Sequence, residues 1–282
     1  MSEEDAYLVS SRGILKSCTS HSPFPVSSIQ NVNYQPKGNQ IYICSSAIQH
    51  FYFFILPNLS EPFVLVTGDS DATIPCDYPI ICQSILVHPL LLCWYSQNCV
   101  APFKKLRAIP IGLDYHTLST GPHEWGYMAD PITQENTLYT YARNENRKFR
   151  CYGMFQFQMT TRYASDRHDA IKKIPSDLID YQKHPMTRNE TWEAMSQYVF
   201  IPSPHGNGLD CHRTWEALAL GCIPIVKRSG ISHLFEDHAL RVWIVNDWSE
   251  ITPESMKEAY MKLPPHNPEI LSLKYWMSYI KS

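Results

Sequence analysis

Residues 203–226, "SPHGNGLDCHRTWEALALGCIPIV", set a glycine loop and an Arg-x-x-Glu pair against a purely apolar run. An arginine in the first turn of a helix, here Arg213, can fork onto phosphate oxygens. Glu216 lies on the same helix face, about 5 Å away, where a carboxylate can accept hydrogen bonds from both hydroxyls of a ribose. Gly206 and Gly208 would let backbone N–H groups approach an anion, and a helix N-terminus adds about half a positive charge. Diphosphate plus ribose describes a nucleotide-linked ligand, with His205 and Asn207 as further loop contacts. The same residues also fit a plainer pattern, a turn followed by a solvated i,i+3 ion pair worth about 0.2–0.5 kcal/mol. Neither the G-x-G-x-x-G nor the G-x-x-x-x-G-K phosphate pattern is present.

Group transfer onto a hydroxyl needs a base and relief for the departing anion. "FVLVTGDSDATIP" ends an apolar run with Asp69 and Asp71, either of which can serve as the base, although Gly-Asp-Ser-Asp is also ordinary turn chemistry. Asp114 and His116 in "IPIGLDYH" are reserve candidates for acceptor contact or base. In "TTRYASDRHD", Arg162 is the preferred second phosphate ligand, ahead of Arg167. Trp94, Tyr95, Trp125 and Tyr127 are candidate floors for a sugar, whose C–H faces are apolar. Asp69-Ser-Asp71 also matches the D-x-D pattern that holds a divalent cation on a diphosphate in single-domain glycosyltransferases.

The elements that must position these residues are legible from apolar runs bounded by Gly, Pro and Asp. In the first half, residues 41–44, 63–68, 84–89 and 106–113 read as buried strands of a parallel or mixed sheet. Residues 120–149 lack periodicity and read as a surface excursion ending in an interdomain linker. From 149 onward strands alternate with helices: strands 149–155, 178–182, 198–204, 223–227 and 241–247, with helices near 162–174, 189–196, 211–220 and 253–262. That alternation is the βαβ pattern of a Rossmann-like domain. Asp210 is the expected N-cap of the helix over 211–220, Gly221 its terminator, and Trp215, Leu218, Ala219 and Cys222 its core stripe. Ile270, Leu273, Trp276 and Ile280 share one face of a last helix that packs across the domains.

Composition narrows the class. The 282 residues carry a formal charge of −3, with 44% hydrophobic and 18% charged residues, a soluble globular balance that offers no basic field for nucleic acid. Nine cysteines without a C-x-x-C pair read as free thiols of a reducing compartment. The acidic start "MSEEDAYLVSSRG" is no signal peptide and no run is long enough to span a membrane, so a cytoplasmic protein is expected.

"FIPSPHGNGLDCHRTWEALALGCIPIVKRSG" and "KFRCYGMFQFQMTTRYASDRHDAI" together resemble the donor-domain signature of exostosin-like glycosyltransferases (glycosyltransferase family 47 and relatives). The resemblance covers about 100 residues well and the first half loosely. It implies the GT-B fold class: α/β, two Rossmann-like domains facing a cleft, with a C-terminal helix crossing back. Residues 1–147 would bind the acceptor, 148–265 the donor, and 266–282 would form the crossing helix. It implies an inverting enzyme that moves a sugar from a UDP-sugar to a glycan hydroxyl, with Arg213 on the diphosphate and Glu216 on the ribose. No cofactor and no metal are expected, because Arg213 would supply the positive charge. Without a membrane anchor, the chain is similar to the exostosin-like enzymes of large algal viruses, which build capsid glycans in the host cytoplasm, xylosyl transfer among their activities. Three alternatives remain: a nucleotide- or carbohydrate-binding protein of the same fold without catalysis, a metal-dependent GT-A-type transferase using Asp69 and Asp71, and a sugar-nucleotide epimerase.

Overall fold

Buried strands come where apolar residues run on without alternation, because a parallel sheet is covered on both faces. The computed structural model describes residues 2–22, 38–101 and 104–281. In the first half β1 (Gln40–Cys44), β2 (Phe63–Gly68), β3 (Leu91–Ser96) and β4 (Leu106–Ala108) form a four-stranded parallel sheet in the order β1-β2-β3-β4. Its helices are α1 (Ser11–Ser17), the single turn α2 (Ile48–His50) that widens into a π-helical turn at Phe51–Ile55, α3 (Pro79–Leu86), α4 (His116–Ser119) and α5 (Pro131–Ala142).

The second half contains β5 (Lys148–Gly153), α6 (Ala164–Lys173), β6 (Ile179–Tyr181), α7 (Arg188–Ser196), β7 (Tyr198–Pro202), α8 (His212–Ala219), β8 (Ile223–Lys227), α9 (Ser232–Asp237), β9 (Trp243–Val245) and α10 (Pro253–Lys262). Its five strands are all parallel, in the order β6-β5-β7-β8-β9. The chain thus leaves β5 toward one edge and resumes at β7 on the other side. Loops leaving neighbouring strands in opposite directions open a crevice at their carboxyl ends, the switch point of such sheets. The chain is therefore α/β with two Rossmann-like parallel sheets.

The last helix, α11 (Leu273–Lys281), returns to the first unit. Leu273 N–H donates to Tyr7 O at 2.8 Å, Val9 N–H donates to Leu271 O at 2.9 Å, and Tyr279 meets Tyr95 edge-on at 5.4 Å. Trp276 also packs edge-on against Trp215 of α8 at 6.1 Å. One continuous core consequently runs from the first sheet through α11 and α8 to α7, while a smaller core fills the far side of the second sheet around Phe155, Phe200 and Trp248.

Two sequence expectations are corrected. Residues 84–89 are not a strand: 79–86 form α3, started by Pro79, with Cys82 and Ile85 buried one turn apart, and the strand lies at β3. Residues 120–149 are not only a surface excursion. Asp130 caps α5 by accepting from Ile132 and Thr133 N–H, and Glu135 on its buried face accepts from Leu8 N–H at 2.7 Å and the Tyr115 hydroxyl at 2.9 Å. Among the described residues all nine cysteines are free, and no helix is long and apolar enough to cross a membrane.

Candidate functional site

The two helices that flank the switch point each bring an arginine to it. Arg167 stands in the first turn of α6, after β5, and Arg213 in the first turn of α8, after β7. The two guanidiniums are close enough to repel: burial first, then the charge of Arg213, pushes Arg167 down to about 10. Burial lowers Arg213 as well, against the opposing effect of Cys211 and Glu216. Neither arginine forms an ion pair with a carboxylate among the described residues. Arg167 donates to the His205 carbonyl at 3.1 Å; Arg213 makes one long contact to the Pro204 carbonyl at 3.4 Å, and its Nε is buried without a partner. Glu216 is 7% exposed, and its carboxylate makes no hydrogen bond or ion pair among the described residues. Groups of this kind are costly to bury without full pairing, and a ligand with negative charge and hydroxyl donors could complete it.

The loop from β7 to α8 is held rigidly behind them. Asp166 of α6 accepts from the His205 N–H at 2.9 Å, from His205 Nδ1 at 2.8 Å and from Trp248 Nε1 at 2.8 Å, and His205 Nε2 meets Ser229 Oγ at 3.2 Å. The Gly206 N–H donates to the Gly208 carbonyl at 3.0 Å, so it serves the loop and not an anion. Both glycines are needed for close approach: a Cβ on Gly206 would sit 2.9 Å from Arg167 Nη2, and one on Gly208 3.0 Å from the Asn98 amide. Asn207 is exposed and its side chain accepts from Arg162 N–H at 3.2 Å. Asp210 is not the N-cap. Cys211 occupies that place without a capping bond, and the Asp210 carboxylate crosses to the first unit, accepting from Ile111 N–H at 2.8 Å and from Trp215 Nε1 at 2.9 Å. Gly221 does end the helix, at φ +77°.

The carboxyl edge of the first sheet faces α8. Asp69, at φ +50°, accepts from the Tyr42 hydroxyl at 3.0 Å and lies 3.6 Å from Arg12 Nε. Burial raises its carboxyl above the usual range, with Arg12 opposing. Asp71 is exposed and stands against Gly208. Asp114 pairs with Arg188 of α7 at 2.7 Å and with His116 Nδ1 at 3.1 Å. Burial works to raise Asp114, but the neighbouring His212, Arg188 and His116 outweigh it and hold the carboxyl well below the usual range. His212 Nδ1 lies 2.7 Å from the Gly112 carbonyl, and its ring is 6.2 Å from that of His116.

Several sequence assignments change. Arg162 precedes α6 and makes a two-pronged ion pair with Asp77 of the first unit, both contacts at 2.7 Å, so Arg167 takes the place beside Arg213. Trp94 and Tyr95 are fully buried core and cannot floor a sugar, whereas Trp125 and Tyr127 are 40% and 94% exposed. Trp125 lies 5.7 Å from the Arg188 guanidinium, next to Asp114. The carboxylate of Asp69 is committed to Arg12 and Tyr42, and among the described residues no three His, Cys, Asp or Glu side chains converge as a metal site. Sequence reasoning passed over Arg12, Arg188, Asn98 and Ser229, because an isolated residue in a polar loop or on a helix carries no spacing signal.

No family model matches the chain, and no curated protein matches it. Among solved structures it is similar to a spinosyn rhamnosyltransferase complexed with spinosyn aglycone, at 12% sequence identity and a TM-score of 0.37 over 82% of this chain. The chain spans 65% of that protein's length. So distant a likeness assigns neither fold nor activity, and both rest on the chain's own geometry.

Proposed function

We propose that this chain is an inverting glycosyltransferase that moves a sugar from a UDP-sugar to a hydroxyl of a glycan acceptor. The carrying observation is the pair of guanidiniums, Arg167 and Arg213, brought together at the switch point with no carboxylate ion pair, beside a Glu216 carboxylate that has no hydrogen bond among the described residues. A diphosphate between the arginines would meet the guanidinium of Arg213 and Nη2 of Arg167, whose Nε and Nη1 donate to the His205 and Gln158 carbonyls, and would relieve their mutual repulsion. Glu216 is one turn from Arg213 and can accept from the ribose hydroxyls. As the bond from the anomeric carbon to the diphosphate breaks, negative charge grows on the leaving oxygen, where both cations stand. Arg167 and Arg213 would fill the role a divalent cation plays elsewhere, so metal-independent turnover is part of the proposal. UDP as the carrier, an exostosin-like ancestry and xylose among the candidate sugars rest on the similarity of residues 148–171 and 200–230 to that family.

The test is a thermal-shift series with UDP, GDP and their sugar conjugates, followed by a UDP-release assay, with and without chelator. Ligand binding to the native state alone must raise the melting temperature. UDP binding, with release of UDP from at least one UDP-sugar in the presence of chelator, is expected. UDP binding without release from any UDP-sugar would make the protein a non-catalytic binder; no binding of any nucleotide would remove the reading.

A further inference from the structure

We infer that His116, oriented by Asp114, is the group that takes the proton from the acceptor hydroxyl, and that Asp69 and Asp71 do not; this rests on the sugar-transfer reading above. His116 Nδ1 lies 3.1 Å from Asp114 Oδ1, a charge contact that favours the tautomer with hydrogen on Nδ1 and the lone pair on Nε2. Among the described residues Nε2 has no hydrogen-bond partner, and the side chain is 25% exposed. Asp114 is itself fixed, accepting from Arg188 Nη2 at 2.7 Å and from the Thr117 hydroxyl at 2.8 Å. A held carboxylate behind an imidazole selects the tautomer and stabilises the imidazolium as it forms.

His116 also lies near the helix that carries the proposed donor site. The ring of His116 is 6.2 Å from that of His212, the residue that precedes Arg213 on α8. His212 is the weaker candidate, because its Nδ1 faces the neutral carbonyl of Gly112 and not a carboxylate. Asp69 is tied to Tyr42 and Arg12, and Asp71 is exposed with no side-chain bond among the described residues to orient it. The ionisable groups that face His116 are Asp114, Arg12, His212 and Arg188. Burial, opposed by Asp114 and assisted by Arg12, His212 and Arg188, brings the imidazole down to about 4, so it is unprotonated at pH 7. The diphosphate's negative charge would raise its basicity when the donor is in place.

In the transfer the acceptor O–H gives its proton to His116 Nε2 while its oxygen bonds to the anomeric carbon. The bond from that carbon to the diphosphate oxygen breaks, and its electron pair leaves with UDP. The imidazolium then returns its proton to solvent, so one glycoside, one UDP and one proton are formed from one UDP-sugar and one alcohol.

The experiment measures UDP release from UDP-glucose, UDP-galactose, UDP-xylose and UDP-N-acetylglucosamine, with water as acceptor, alongside calorimetric UDP binding. For His116→Ala, turnover is expected to fall about a hundredfold or more with UDP affinity unchanged and a cooperative melt retained, and added imidazole should restore part of the rate. His116→Gln, which can still donate to Asp114 but cannot take a proton, should be equally slow, so a folding defect in the alanine variant does not decide the matter. Asp114→Asn should lower kcat with little change in KM and shift the acid limb of the pH–rate profile, which a purely structural role would leave in place. Wild-type turnover in both His116 variants, or loss of turnover in Asp69→Asn with His116→Ala active, overturns this assignment alone. Absence of UDP binding, or of UDP release by the wild-type protein, overturns it together with the reading on which it rests.

Discussion

Glu216 sits in an environment that stability alone would not select. A carboxylate at 7% exposure with no hydrogen bond or ion pair among the described residues is a cost to the unliganded fold. Glu216→Gln should therefore leave the melting temperature of the unliganded protein unchanged or raised, while the shift produced by UDP disappears. A marked fall in the unliganded melting temperature would show that Glu216 holds the fold and not a ligand. Arg213 and Glu216 were legible in the sequence because i,i+3 spacing on a helix fixes a shared face. The second arginine was not. The helix expected near 162–174 begins at Ala164, which leaves Arg162 in a loop, free to reach Asp77, and puts Arg167 in the first turn. A two-residue uncertainty in a helix start decides between them, and sequence patterns seldom resolve less than that.

At the level of elements, the strands of the second sheet were readable because each is a short apolar run, and α7 and α8 carry punctuation in the Thr187 capping box and Gly221, whereas α9, with no side-chain cap, was not foreseen. The first half was harder. In residues 79–96 an apolar helix abuts an apolar strand, and periodicity cannot divide them. The polar face of α5 hid the buried bonds of Gln134 and Glu135, which depend on partners more than a hundred residues away in one case and about twenty in the other. The loop that carries Asp114 and leads to His116 at the start of α4 leaves β4 through Gly112, at φ +69°, where a Cβ would lie 2.2 Å from the Val9 carbonyl oxygen. Gly112→Ala combines a left-handed backbone with a clash against main chain. It should lower the melting temperature by roughly 5–10 °C; a variant that melts within a degree or so of wild type would contradict the placement of this loop.

For the whole molecule, the continuous core from the first sheet through α11 to α8 ties the two units together, so the crevice has a fixed wall opposite it. Asp210 with Ile111, and Arg162 with Asp77, reinforce that tie across the carboxyl edges of both sheets. The sequence could place the last helix across the units from its apolar stripe, but it could not show that the core is shared, because that depends on tertiary contacts between distant residues. The N-terminal segment contributes a pH dependence. Glu3 is buried, which raises its carboxyl to about 7 against the hydrogen bond from Ser10 and the charge of Arg12. The folded chain therefore holds this proton between about pH 4.5 and 7 where the unfolded chain does not, and the stability it confers is full below that window and lost as pH rises through it. Relative to Glu3→Gln, wild type should lose on the order of 1–3 kcal/mol between pH 4.5 and 8 in denaturant titrations; parallel pH profiles for the two would contradict the burial of Glu3.

The donor site is tested most directly by calorimetric titration of UDP into the wild-type protein and Arg213→Ala. Binding by the wild type and a loss of about tenfold to a hundredfold in affinity for the variant, as expected for one charge-assisted contact to a diphosphate, with a cooperative melt in both, is the expected result. Equal UDP affinity in the two proteins, or no UDP binding by the wild type, would contradict it.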